Sequence, residues 1–144
     1  MEQLQIGDQI VRYDPERTKA AYSTMSRGWA EVCGCATCLN FAAQRSTAFP
    51  DNFRHLLIQL GIDSEKEGEA YECGPEGALT VYGGWFYFAG EIVQIGEHLA
   101  MDASGFQYWF AEARNLPKPQ ADFGKNVLAV EFVTKLPWVI ETQS

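Results

Sequence analysis

The sequence has little positive charge, no long apolar run and only two histidines. Its eleven lysines and arginines are scattered among nineteen acidic residues, which leaves a formal net charge of −8. Nucleic-acid affinity depends on clustered Lys and Arg that neutralise phosphates, so a DNA or RNA partner is not expected. Anionic membrane surfaces are disfavoured for the same reason, and no stretch approaches the roughly 20 apolar residues of a membrane-spanning helix.

Familiar catalytic and phosphate-binding motifs are also missing. The two histidines, His55 and His98, are too few for a zinc centre of three histidines. There is no G-x-S-x-G elbow and no glycine-rich phosphate loop. The first residues lack the basic start and apolar stretch of a secretory signal, so we expect a cytoplasmic protein. No motif names an activity directly.

Length and composition are those of a folded domain. The 144 residues are 47% hydrophobic and 21% charged, close to the averages of globular proteins. We therefore expect a single α+β domain over residues 1–144.

Helical periodicity and end signals predict helices over 14–26, 35–49 and 51–60, while 29–33 fits either an extended segment or a tight connection. Alternation predicts strands at 9–13, 70–73, 79–82, 85–95, 106–114 and 127–135. Helices followed by consecutive strands favour N-terminal helices packed on one face of a C-terminal antiparallel β-sheet.

A cluster of cysteines holds the most unusual chemistry in the chain. Cys33, Cys35 and Cys38 lie within six residues, which is too crowded for a loop-closing disulfide framework. Zinc takes four ligands, often thiolates, so these three could hold it with Cys73 or His98 as the fourth. The spacing is only a moderate indication, because structural zinc sites usually combine two separate C-x2-C pairs.

Two other interpretations of the cysteines remain open. Cys35 and Cys38 form a C-x-x-C at the start of a predicted helix, whose dipole would lower the pKa of the first thiol, as in a thiol-disulfide oxidoreductase. That motif normally follows a strand in a β-α-β unit, which this chain lacks. Alternatively, Cys35 and Cys38 share a helical face with Leu39 and Ala42 and serve as small core residues.

Alternation along the predicted strands divides the sheet into two faces. The first is expected to lie under the helices and contains Phe86, Phe88, Ile92, Trp109, Ala111, Leu128, Val130 and Phe132. The second mixes aromatic and acidic side chains and contains Trp85, Tyr87, Glu91, Tyr108, Phe110, Glu112 and Glu131.

The second face is more apolar than an ordinary solvated face. We therefore expect it to bind a small molecule or a protein partner, which includes a second copy of the chain in a homodimer. Its glutamates could do acid–base chemistry if they converge, although strand glutamates more often face solvent. In a simpler alternative, the aromatic residues pack under the loop over 115–126.

Three runs, CATCLNF at 35–41, LGID at 60–63 and YGGWFYFAGE at 82–91, resemble a family of small uncharacterised bacterial proteins. The resemblance spans residues 33–93 and implies a bacterial cytoplasmic protein with the family's fold. It implies no activity and no functional residue. The first hypothesis is thus a non-enzymatic binding domain without a cofactor, and the alternatives are a zinc-binding protein and a thiol-disulfide oxidoreductase.

Overall fold

The computed structural model has a mixed α+β fold and describes residues 1–96, 100–102 and 104–141. Within those ranges there are five helices: α1 Pro15–Ser23, α2 Trp29–Cys33, α3 Ala36–Ala42, α4 Arg45–Ala48 and α5 Asp51–Leu60. The strands are β1 Glu2–Ile6, β2 Gln9–Tyr13, β3 Glu69–Glu76, β4 Leu79–Gln94, β5 Ala100–Met101, β6 Gln107–Glu112 and β7 Val127–Leu136. None of the helices in the described ranges has the length and apolar character needed to cross a membrane.

The seven strands form one antiparallel sheet in the order β1-β2-β4-β7-β6-β5, with β3 also paired to β4. Strand β4 is the longest, at 16 residues. It pairs with β7 from Thr80 to Ala89 along one edge, and its other edge is shared by β3 and β2. The expectation of a purely C-terminal sheet is therefore incomplete, because β1 and β2 belong to the same sheet.

Helix α1 closes the gap that β3 and β2 leave along the edge of β4. The Tyr22 hydroxyl donates to the Tyr87 carbonyl oxygen at 2.7 Å. The Ala89 backbone N–H donates to the Thr18 hydroxyl at 3.0 Å. Because buried backbone groups need hydrogen-bond partners, these two side chains replace the missing strand.

Local signals account for α1 and α5. The Asp14 carboxylate caps α1 by accepting from the Arg17 N–H at 3.0 Å, and Pro15 begins the helix. Helix α5 ends at Gly61, whose φ of 85° lies in the left-handed region. The helices predicted over 14–26 and 51–60 are thus confirmed, although α1 is shorter.

The helix predicted over 35–49 is instead two short helices, α3 and α4. The break falls at Gln44, where φ is −116°. The buried Gln44 amide donates to the carbonyl oxygen of Pro137 at 2.9 Å. A contact with a residue far along the chain therefore holds the break.

Aromatic rings fill the space between the helices and the sheet. The ring of Phe132 on β7 packs against Phe41, Phe49 and Phe53, with centroids 5.0 to 6.1 Å away. The predicted core residues Phe86, Phe88, Leu128, Val130 and Phe132 are all buried.

The register of β6 corrects the predicted division of the sheet into faces. Phe110 lies opposite Val130, which in turn lies opposite Phe86. Directly opposed residues project from the same face, so Phe110 belongs to the first face, with Phe86 and Val130. The predicted phase of β6 is wrong by one residue: Tyr108, Phe110 and Glu112 lie on the first face, and Trp109 and Ala111 lie on the second. Aromatic residues occupy both alternating sets of positions along β6. The sequence pattern therefore does not show which set lies on which face.

Candidate functional site

The turn between α2 and α3 brings three cysteines together. Cys33 is the last residue of α2, and Cys35 is the N-cap of α3. Gly34 between them has a φ of 68°, a left-handed conformation that glycine adopts without steric cost. Cys38 lies one helical turn beyond Cys35, a spacing that places both on one side of α3. The turn therefore directs three thiols toward one point.

The three sulfur atoms lie within 4.8 Å of one another. The Sγ atoms of Cys33 and Cys35 are 3.4 Å apart. The Cys35 Sγ accepts a hydrogen bond from the Cys38 backbone N–H at 3.5 Å. The Cys38 thiol faces the Ala70 carbonyl oxygen on β3 at 4.0 Å. The cluster thus lies between the turn and β3.

The thiols differ in exposure and acidity. Cys33 and Cys35 are exposed, whereas Cys38 is only 5% exposed. The hydrogen bond from the Cys38 N–H lowers the pKa of the Cys35 thiol, because it favours the thiolate. Burial raises the pKa of the Cys38 thiol, because desolvation disfavours charge. The interpretation of both cysteines as core residues therefore holds for Cys38 and is wrong for Cys35.

Of the two predicted fourth ligands, Cys73 does not join this cluster. Cys73 is exposed on β3, where a bulge between Glu72 and Gly74 shifts the register against β4. Among the residues that the structure describes, the close group of sulfur atoms contains Cys33, Cys35 and Cys38 without Cys73. His98 lies outside the described residues.

Three thiols in this arrangement could hold a metal ion. Zinc–sulfur bonds of about 2.3 Å in a tetrahedral site place the ligand sulfurs about 3.8 Å apart. The observed separations run from 3.4 Å to at most 4.8 Å, so modest rotations of the side chains suffice. Three protein ligands leave the fourth position of a tetrahedral ion open.

A buried ion network anchors α2, which carries Cys33, and α4, which follows the helix of Cys38. Arg45 on α4 donates to both carboxylate oxygens of Glu67 at 2.8 Å, and it also pairs with Glu31 on α2. Glu67 is 0% exposed and accepts a further hydrogen bond from the Ala30 N–H at 2.9 Å. Because a buried carboxylate needs a partner, the network fixes α2 and α4 against the chain that enters β3. No sequence pattern links residues 31, 45 and 67, so sequence reasoning missed it.

The residues predicted to bind a ligand on the second face do not form one surface. Trp85, Glu131 and Trp109 form a row across β4, β7 and β6, and the Trp109 indole N–H donates to Glu131 at 2.7 Å. Glu91 instead pairs with Arg12 of β2 at 3.5 Å. The other three predicted residues lie on the opposite face, as the register of β6 requires: Tyr108, Phe110 and Glu112.

The chain itself covers the two β4 aromatics of the second face. Trp85 is 6% exposed and Tyr87 is 4% exposed. The Tyr87 hydroxyl donates to the Pro117 carbonyl oxygen, and the Phe123 ring lies 6.2 Å from that of Tyr87. The ring of Tyr71 lies 6.1 Å from that of Trp85. The alternative prediction, that aromatics pack under the loop over 115–126, is confirmed for Tyr87.

A cavity of about 170 Å³ lies beside Tyr87. Four aromatic side chains contribute to its walls: Tyr22, Trp29, Tyr87 and Phe123. Lys66 and Glu69 supply charged groups at the same cavity. Burial raises the pKa of Glu69 because desolvation disfavours the carboxylate. Aromatic walls with a few polar groups are typical of small-molecule sites.

No family model, no curated protein and no solved structure matches this chain. The resemblance of residues 33–93 to a bacterial family stays an expectation. Functional reasoning therefore depends on the geometry of the thiols and of the cavity.

Proposed function

We propose that the protein binds a thiophilic metal ion of the zinc class through Cys33, Cys35 and Cys38. The observation that carries this proposal is the grouping of three Sγ atoms within 4.8 Å of one another. Thiolates are preferred ligands of zinc and of other soft metal ions. A short turn preorganises the three sulfurs, so little chain entropy is lost when the ion binds.

The environment of Cys38 supports the proposal. Burial disfavours a lone thiolate at this position. A bound cation supplies the compensating charge, so deprotonation of Cys38 accompanies metal binding. Cys38 is thus the buried ligand of the ion, and the exposed Cys33 and Cys35 are the other two sulfur ligands.

The exposed side of the cluster defines the kind of site. Structural zinc sites are closed by four protein ligands, whereas sites with three protein ligands keep one exchangeable position. Among the residues that the structure describes, no fourth sulfur joins the group, so the proposed fourth ligand is water or a group from outside the cluster. We infer a site that exchanges its fourth ligand rather than a closed structural centre.

Titration of the metal-free protein with Co²⁺ and then Zn²⁺ tests this function. We expect one ion per chain, with sulfur-to-cobalt charge-transfer absorption that Zn²⁺ abolishes. Cys33→Ser, Cys35→Ser and Cys38→Ser should each weaken binding and reduce that absorption. Cys73→Ser is the matched control and should bind like the wild type. Absence of stoichiometric binding, or its loss in Cys73→Ser alone, would refute the proposal.

A second candidate function is the binding of a small apolar molecule in the cavity beside Tyr87. The favouring observation is an aromatic-lined cavity next to a buried donor. The Trp85 indole N–H has no acceptor among the described residues. It lies next to Gly68, which lines the cavity, since a Cβ on Gly68 would stand 2.8 Å from it.

Ligand-observed NMR with a library of small aromatic compounds tests this second candidate. Met25 lines the cavity, so Met25→Trp should fill it and abolish binding. Met101, which is 59% exposed on β5, offers the control Met101→Trp. Equal binding by both variants would show that the compounds bind elsewhere.

A further inference from the structure

Cys33 and Cys35 form a pair of adjacent, exposed thiols. Their sulfur atoms are 3.4 Å apart. A disulfide requires about 2.05 Å between sulfurs, so small rotations about the side-chain bonds bring them to bonding distance. Both residues are exposed, which gives a dissolved disulfide direct access to either sulfur.

The C-x-x-C spacing suggests a different pair, Cys35 with Cys38. The structure argues against it, because Cys38 is 5% exposed and its thiol is directed at the Ala70 carbonyl oxygen. The Cys38 sulfur lies within 4.8 Å of the Cys35 sulfur, but a bond between them would draw it away from its buried contact with Ala70. Cys33 needs no such movement, because it already lies beside Cys35 at the surface.

We propose that, in the metal-free protein, Cys33 and Cys35 are a redox-active dithiol that exchanges with low-molecular-mass disulfides, while Cys38 remains a thiol. This activity is distinct from metal binding and does not depend on it. The same sulfurs serve both, so a bound ion is expected to block the exchange.

The exchange proceeds in two displacements. The Cys35 thiolate attacks one sulfur of the incoming disulfide, whose S–S bond breaks and releases one thiolate. The Cys33 thiolate then attacks the Cys35 sulfur of this mixed disulfide, forms the Cys33–Cys35 bond and releases the second thiolate. The two protons lost by Cys33 and Cys35 are taken up by the two leaving thiolates. The protein dithiol loses two electrons, and the small disulfide is reduced to two thiols.

Oxidised glutathione and the full chain, kept metal-free with a chelator, test the proposal. Residues 28–45 form one tryptic peptide that contains all three cysteines of the cluster. Alkylation of the remaining thiols before digestion therefore locates the disulfide by mass spectrometry. We expect a Cys33–Cys35 disulfide with an alkylated Cys38. A Cys35–Cys38 disulfide, or no disulfide in this peptide, would overturn the proposal.

Variants separate this activity from metal binding. Cys33→Ser should lose the disulfide and accumulate glutathione on Cys35, because the second displacement has no nucleophile. Cys38→Ser should bind metal more weakly and keep the Cys33–Cys35 disulfide. Cys73 is an internal comparator, since it is an exposed thiol outside the cluster. If Cys35 in Cys33→Ser takes up glutathione no faster than Cys73 does, the pair has no special reactivity and the proposal fails.

Discussion

The aromatic interior of the sheet is closed by its own chain, whereas the cysteine cluster is left open at the surface. Phe132 is 1% exposed and packs against three phenylalanine rings of the helical segments. Cys33 and Cys35 face solvent with their sulfurs 3.4 Å apart. The first region excludes water and so stabilises the fold. The second keeps reactive atoms accessible, where they add little to stability but can bind or react.

The buried ion network links the two regions. Arg45 and Glu67 lie inside the protein like the aromatic core, yet they hold α4 and α2, the helix that carries Cys33. We therefore expect the loss in the free energy of unfolding on substitution to be largest in the core, smaller in the network and smallest at the cysteines. Substitutions at each of these places test that order.

Phe132→Ala should have the largest effect on stability. Removing a buried phenylalanine ring leaves a cavity, and such truncations cost about 3–5 kcal/mol of the free energy of unfolding. Urea denaturation followed by circular dichroism measures the loss. Ile58 is 70% exposed, so Ile58→Ala is the control and should stay within about 0.5 kcal/mol of the wild type. Similar losses in both variants would contradict the assignment of the core.

Arg45→Met should lower the free energy of unfolding by about 3 kcal/mol, because it leaves the Glu67 carboxylate buried without a countercharge. Lys19→Met removes the exposed pair with Glu16 and should cost less than about 0.5 kcal/mol. The same urea experiment compares the two. An unchanged stability in Arg45→Met would show that the network does not hold α2 and α4 in place.

Tyr22→Phe should lower stability by about 1 kcal/mol, because the Tyr87 carbonyl oxygen loses its donor at 2.7 Å. Tyr71→Phe is the control. The Tyr71 ring also packs at the sheet, against Trp85, but the residue is 41% exposed. Thermal or urea unfolding at neutral pH distinguishes the two variants. Equal stabilities would mean that water replaces the Tyr22 hydroxyl at the edge of β4.

The pH dependence of unfolding provides a second measurement at Tyr22. Burial raises the pKa of Tyr22 well above its usual range, so the folded state keeps the phenol protonated. In the unfolded chain the phenol ionises above about pH 10. Folding therefore loses stability as the pH rises through that value, because the unfolded state releases the proton first. Tyr22→Phe should lose less stability than the wild type over the same range, and parallel curves would contradict the burial of this hydroxyl.

Cysteine substitutions in the metal-free protein should have the smallest effects. Cys33→Ser and Cys35→Ser are exposed changes and should alter the free energy of unfolding by less than about 0.5 kcal/mol. Cys38→Ser places a hydroxyl at a buried position and should cost about 1 kcal/mol. Chemical denaturation with a chelator and a reductant measures all three. A large loss in Cys33→Ser would contradict the contrast between an open cluster and a closed core.

Several elements could be predicted because their signals act within a few residues. Asp14 and Pro15 start α1, and Gly61 ends α5, through caps that depend only on neighbouring backbone groups. The pair Gly83 and Gly84 instead suggests two strands where the structure has one, β4. A Cβ on Gly84 would lie 2.6 Å from the Phe132 ring, so glycine there serves close packing rather than a turn.

The proposed site could be predicted only in part. The spacing of Cys33, Cys35 and Cys38 brings three thiols into one turn, and the sequence was sufficient for that. It did not separate Cys73 from them, because the bulge in β3 depends on pairing with β4. It also assigned Phe110 to the wrong face, because the phase of a strand is set by hydrogen bonds to its neighbour.

Local sequence alone was enough to predict the start of α1, both ends of α5, the presence of alternating strands and the crowding of three cysteines, since each follows from interactions over a few residues. The burial of Cys38, the exposure of Cys35 and the pairing of Arg45 with Glu67 depend instead on tertiary packing. Those outcomes depend on contacts between residues far apart in the chain. They arise when the helices pack on the sheet, and local propensity carries no information about them.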